Sequence, residues 1–109
     1  MATYLLLFLG RAAAPDATDE QTVDYNRQWS EYMAGLAQSG QLRGGAPLEA
    51  SGKVVAKDHV ADLELADVDI GGFLVVQVDS REAAEELARS APHIALGGST
   101  IVRRCLPTR

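Results

Sequence analysis

Ala2-Thr3-Tyr4-Leu5-Leu6-Leu7-Phe8-Leu9-Gly10 opens the chain with a continuous apolar run closed by a glycine. A short run of this kind suits a strand buried on both faces. Side chains alternate across a strand, so Tyr4, Leu6 and Phe8 point one way while Leu5, Leu7 and Leu9 point the other. A second run, Phe73-Leu74-Val75-Val76-Gln77-Val78, follows Gly71-Gly72 and divides in the same manner: Phe73 and Val75 oppose Leu74, Val76 and Val78. Both faces of the sheet built from these strands are therefore apolar. Two helices cover only one face of a four-stranded sheet, and the second face leaves a patch that monomers rarely tolerate. Pairing of that face with a second copy of the chain is expected, giving a homodimer.

The remaining elements arrange themselves around these two strands. Residues 10–18 hold Gly, Pro and Asp and read as a loop. Thr18-Asp19-Glu20-Gln21 fits a capping box, so a helix is expected from about Asp19 to Ser39, ended by Gly40. Val23, Trp29, Met33, Leu36 and Ala37 recur along it at roughly helical spacing, flanked by Tyr25 and Tyr32. Leu42 to Leu48 contains Gly44, Gly45 and Pro47 and reads as a turn or a broken edge strand. Lys53 to Lys57 reads as a short strand. Over residues 58–70, Ala61, Leu63 and Leu65 alternate with Asp62 and Glu64; this favours an edge strand over a helical turn. Ser80 is an N-cap for a second helix over about Arg81 to Ser90, whose Ala83, Ala84, Leu87 and Ala88 form a small-residue face. Pro92 and Gly97-Gly98 mark a connection to a last strand, Thr100 to Leu106. The order is β-α-β-β-α-β, a ferredoxin-like α+β pattern in a single domain over residues 1–109.

Composition narrows the functions available. The chain has 109 residues, 47% hydrophobic and 23% charged, with a formal net charge of −5. Nucleic-acid binding requires clustered basic residues, whereas the ten Lys and Arg residues here are scattered, with Arg103-Arg104 the one adjacent pair. Cys105 is the sole cysteine, which excludes an intrachain disulfide and a multi-cysteine zinc site; a reducing cytoplasm is the expected setting. The run Tyr4 to Leu9 is short and no Lys or Arg precedes it, so it reads as a strand and not as a signal peptide. No stretch approaches the roughly 20 apolar residues of a membrane helix, and no membrane partner is expected.

The chain resembles the YCII-related family of dimeric α+β barrel proteins. The stretches that carry the resemblance are TYLLLF at 3–8, W-x-x-Y-x-x-x-L at 29–36 and SGQLRGGAPL at 39–48, followed by IGGFLVVQV at 70–78, SREAAEELA at 80–88 and AP…LGGSTIVR at 91–103. The resemblance implies a small-molecule-binding homodimer with a cleft between the first helix and the sheet. Two features depart from the family pattern. The Asp-Gly-Pro-Phe signature that many members carry is absent from Val60-Ala61-Asp62-Leu63. The acid–base pair of other members, a His on the first helix and an Asp after the second, falls on Trp29 and Ala91.

Against that background a few residues stand as candidates. His93 follows Pro92, near the place of the family's Asp, and an imidazole there can act as a general base; the alternative is a solvent-exposed loop residue. Asn26, Trp29 and Tyr32 sit three residues apart on the first helix, where aromatic faces and directional hydrogen bonds can line a pocket for a flat organic ligand. The alternative is that Trp29 is core and Tyr32 half-buried packing. Cofactor-free monooxygenases on this fold resemble this in using Asn, Trp and Tyr. Asp62, Glu64, Asp67 and Asp69 form an acidic run without the spacing of a calcium loop, better explained as a solvated strand edge; no metal and no cofactor are expected. Gly71-Gly72 and Gly97-Gly98 lack the context of a phosphate loop and suit bulges or close backbone approach. Two functional classes remain: a small-molecule-binding dimer, including a cofactor-independent enzyme acting on a small organic substrate, or a non-catalytic interaction or regulatory module.

Overall fold

The first strand, β1 (Ala2–Gly10), is hydrogen-bonded on both sides, and the rest of the sheet grows from it. The computed structural model describes residues 1–10, 18–49, 51–64 and 69–107. Helix α1 (Asp19–Gln38) follows, then strand β2 (Leu42–Pro47), a hairpin of β3 (Lys53–Val55) and β4 (Val60–Asp62), strand β5 (Asp69–Val78), helix α2 (Arg81–Arg89), a 3-10 helix (Pro92–Leu96) and strand β6 (Ser99–Arg104). The main sheet has the order β2-β5-β1-β6 with every neighbouring pair antiparallel. This is the ferredoxin-like α+β arrangement, with β5 inserted between β1 and β2.

The register explains the core. Tyr4 lies opposite Val76, Leu6 opposite Leu74, and Ala2 opposite Val78. Tyr4, Leu6, Phe8, Leu74, Val76 and Val78 are all buried, so they face the helices. Leu5, Leu7, Val75 and Phe73 share the other face and are only half-buried. The division read from alternation therefore holds strand by strand, apart from a register shift between Phe8 and Leu9.

Both helices begin as their caps dictate. Thr18 accepts from the Gln21 amide at 3.1 Å, and the Gln21 side chain accepts from the Thr18 amide at 2.9 Å, which completes the capping box. Ser80 accepts from the Ala83 amide at 3.1 Å. Gly40, with φ +77°, takes the left-handed conformation beyond the end of α1, where a Cβ would be strained. The apolar stripe of α1 is shifted from the sequence expectation: Trp29, Met33 and Leu36 turn inward, but Val23 is 68% exposed and Ala37 is exposed. Tyr25 and Tyr32 take part in the inward face.

Two further expectations are corrected. The second strand of the main sheet is Leu42–Pro47; the strand expected over 53–57 is confined to Lys53–Val55 and belongs to a separate two-stranded sheet with Val60–Asp62. Gly44 and Gly45 do not prevent pairing because β2 is an edge strand and bulges between Leu42 and Gly44. The connection after α2 contains a 3-10 helix capped by Gly97 at φ +88°. Arg11 to Ala17, Leu65 and Asp67 lie outside the described residues, so the expected loop and part of the acidic run do too.

Candidate functional site

The two helices approach the sheet differently because their inward residues differ in size. On α2, Ala84 and Ala88 are buried at 0% and 5% exposure, and their methyl groups let the helix backbone come close to the sheet. On α1 the inward residues are aromatic and thioether side chains, which hold the helix away. The space between α1 and the sheet is a cleft of about 760 Å³. Its α1 wall is Tyr25, Asn26, Trp29, Ser30 and Met33. Its floor is Phe8 and Leu74, its rim the β2 segment Gly45 to Leu48 with Gly71, Gly72 and Phe73, and one end is closed by His93. No Lys, Arg, Asp or Glu lines it among the described residues.

An aromatic cluster organises the closed end. The Trp29 indole stacks on the His93 imidazole, with ring centroids 5.6 Å apart and an interplanar angle of 21°. Phe8 meets both in edge-to-face arrangements, with centroids at 5.1 Å in each case. Tyr25 meets Trp29 edge to face at 6.3 Å. Such contacts favour fixed ring orientations and add stabilisation beyond area burial.

His93 is 6% exposed, which overturns the reading of it as a solvent-exposed loop residue. The 3-10 helix carries it inward, and the start of β6 anchors it. Its Nε2 lies 2.8 Å from the Ser99 carbonyl oxygen and 3.1 Å from Thr100 Oγ1. A carbonyl only accepts, so Nε2 carries the proton and donates it. In the neutral ring Nδ1 is then an acceptor, and it is buried with no hydrogen-bond partner among the described residues. Gly98 makes this placement possible. A Cβ there would lie 2.6 Å from His93 Cδ2, 2.8 Å from the Leu9 carbonyl oxygen and 2.9 Å from the His93 carbonyl oxygen. Gly45 and Gly72 serve the opposite rim: a Cβ on Gly45 would lie 2.4 Å from the Phe73 carbonyl oxygen, and one on Gly72 would lie 3.0 Å from that of Ala46.

The candidates named from sequence separate here. Asn26, Trp29 and His93 line one cleft. Tyr32 does not: its ring packs on Trp29, and its hydroxyl donates to the Leu87 carbonyl oxygen at 2.6 Å, tying α1 to α2. Burial raises its phenol to about 12, in keeping with a group held as a donor. Phe8 and Met33 were read as strand or core positions, yet they also line the cleft; alternation places a residue on a face but not above a space. The alternation signal gave no hint of Gly98, although the Gly97-Gly98 pair was a mark of close backbone approach. In the acidic run Asp62 pairs with Lys53 across the hairpin, and among the described residues no three His, Cys, Asp or Glu side chains are placed to hold a metal ion.

The YCII-related domain family matches residues 5–106. The chain belongs to the YCII-related family. No curated protein matches it. Among solved structures it is similar to 5-chloro-2-hydroxyhydroquinone dehydrochlorinase from Burkholderia phenoliruptrix, in complex with 2,5-dihydroxybenzoquinone, with a TM-score of 0.60 and 19% identity over 95% of this chain and 93% of that one. At that identity the likeness concerns the fold. The His93 imidazole, carried on the 3-10 helix, stacks on Trp29 of α1.

Proposed function

We propose that the protein is a homodimer that binds a small organic molecule in the cleft between α1 and the sheet, and that His93 is its candidate general base, acting without a cofactor. One observation carries this reading: Trp29 and His93, far apart in sequence, stack against each other at the end of an aromatic cleft of about 760 Å³. A volume of that order suits a small ligand. A filled core around Trp29 would instead have favoured an interaction module. The related fold of a dehydrochlorinase crystallised with a quinone supports a small ring as occupant.

Dimerisation is supported by what the chain leaves uncovered. Ile101, on the same side as Leu7, is 41% exposed, and the β3–β4 hairpin exposes Val54, Val55 and Val60.

Crystals soaked with a mixture of small aromatic and heteroaromatic fragments test the reading. The expected result is fragment density in contact with Trp29 and His93. Fragments bound reproducibly elsewhere, with this cleft unoccupied throughout, would overturn it.

A further inference from the structure

Helix α1 presents two parallel rows to the cleft. Tyr25 and Trp29, four residues apart, are half-buried and meet edge to face with ring centroids at 6.3 Å. Asn26 and Ser30, each one position further on, also stand four apart and so lie side by side on the helix surface. Both line the cleft and both are exposed. The first row, with Phe8 and Leu74 beneath, makes the inner part of the cleft aromatic and apolar. The second puts a carboxamide and a hydroxyl at its mouth, where a ligand can reach them. Their charged neighbours are directed elsewhere: Asp24 and Arg27 pair with each other. Among the described residues no Lys, Arg, Asp or Glu lines the cleft.

We infer that the cleft selects an uncharged ring, held ring-first against Trp29 and Phe8 with its polar substituent at the mouth beside Asn26 and Ser30. This rests on the cleft being a ligand site, and it adds to that reading the charge of the ligand, its orientation and the two residues that set it. The ring itself gains from the aromatic walls. An ionised substituent carried in with it loses hydration and meets no opposite charge, and an unpaired charge is far costlier to desolvate than a neutral polar group. An anion is opposed further by the chain's net charge of −5. A cation gains from aromatic faces, but such contacts are weak where water competes. An amide needs only what Asn26 and Ser30 offer together, an acceptor for its N–H and a donor for its carbonyl.

Benzamide, benzoate and benzamidine provide the test, since they share one planar shape and near neutral pH are uncharged, anionic and cationic. Trp29 is the sole tryptophan, so its indole N–H resonance in the ¹⁵N-labelled full chain reports occupancy of the cleft. Benzamide is expected to bind about tenfold more tightly than either ion. Asn26 and Ser30 are exposed on a helix, where alanine is favourable, so Asn26→Ala and Ser30→Ala should both fold. Each should weaken benzamide by about fivefold, the equivalent of one hydrogen bond, and leave the binding of toluene unchanged. Benzoate or benzamidine binding as tightly as benzamide overturns the inference while the cleft remains a ligand site. Benzamide affinity untouched in both variants, or lost in parallel with that of toluene, overturns it too, because the mouth then does not hold the polar group. If no ring, toluene included, shifts the Trp29 resonance, the cleft reading fails together with it.

Discussion

Tyr32 shows how one polar atom can redirect a residue from a site to a scaffold. Its spacing from Asn26 and Trp29 suggested a shared pocket wall, but its hydroxyl finds the Leu87 carbonyl oxygen on α2. Burial holds the phenol neutral and raises it to about 12, whereas an unfolded tyrosine ionises near 10. The unfolded chain therefore loses its proton first as pH rises. The stability this bond contributes is fully present below about pH 10, declines above it, and is lost as pH passes through about 12. Tyr32→Phe should cost about 1 kcal/mol near neutral pH and flatten the alkaline decline, as read from denaturant midpoints across that range. An unchanged decline in the variant would assign it to other groups. Gly98 makes the complementary case, in which a missing side chain matters. Gly98→Ala places a methyl group against two carbonyl oxygens and the His93 ring, and backbone atoms cannot give way as a flexible side chain can. A loss of about 1–3 kcal/mol is expected, together with displaced imidazole signals of His93; unchanged signals would show that the glycine does not position the ring.

The two helices divide the labour of the fold through the size of their inward residues. Helix α2 contributes alanines and sits close to the sheet, so its interface has no room for growth. Ala84 is fully buried, and Ala84→Leu should destabilise the protein by about 1–3 kcal/mol through overpacking; a neutral result in thermal unfolding would mean that α2 stands further off than the structure shows. Helix α1 contributes Tyr25, Trp29, Tyr32 and Met33, which brace it above the sheet and leave the cleft beneath. The small-residue face of α2 was legible from Ala83, Ala84, Leu87 and Ala88. The stand-off of α1 was not, because a stripe of aromatics at helical spacing describes a filled core and a roofed cleft equally well.

Among the described residues, one face of the sheet lies under the helices and the other carries no helix, its apolar residues only half-buried. Leu7 sits on the bare face, opposite Phe73 on one side and Ile101 on the other, at the centre of the proposed dimer surface. Sedimentation at micromolar concentration should report about twice the chain mass, since an apolar contact of ordinary interface size, about 800 Å² per partner, sustains a specific dimer. Leu7→Lys places a charge in that contact and should shift the protein towards monomer without disturbing the helix-covered core. A wild-type protein that sediments as a stable monomer would remove the dimer from the proposal.

Local rules carried much of this structure. Alternation in residues 2–9 and 73–78 determined which side chains share a face, because a strand's period admits only two assignments; which of the two faces the helices cover was settled by the tertiary structure. The Thr18 and Ser80 caps determined where the helices begin, because their oxygens satisfy amides within three residues of themselves. Contacts between distant segments decided the rest. The second strand of the sheet is Leu42–Pro47 and not the stretch after Lys53, because pairing with β5 depends on geometry across the sheet that propensity does not encode. His93 is a cleft residue because the 3-10 helix, Gly98 and Trp29, each unremarkable alone, converge on one imidazole. The candidate site is made of such convergences, and sequence spacing does not record them.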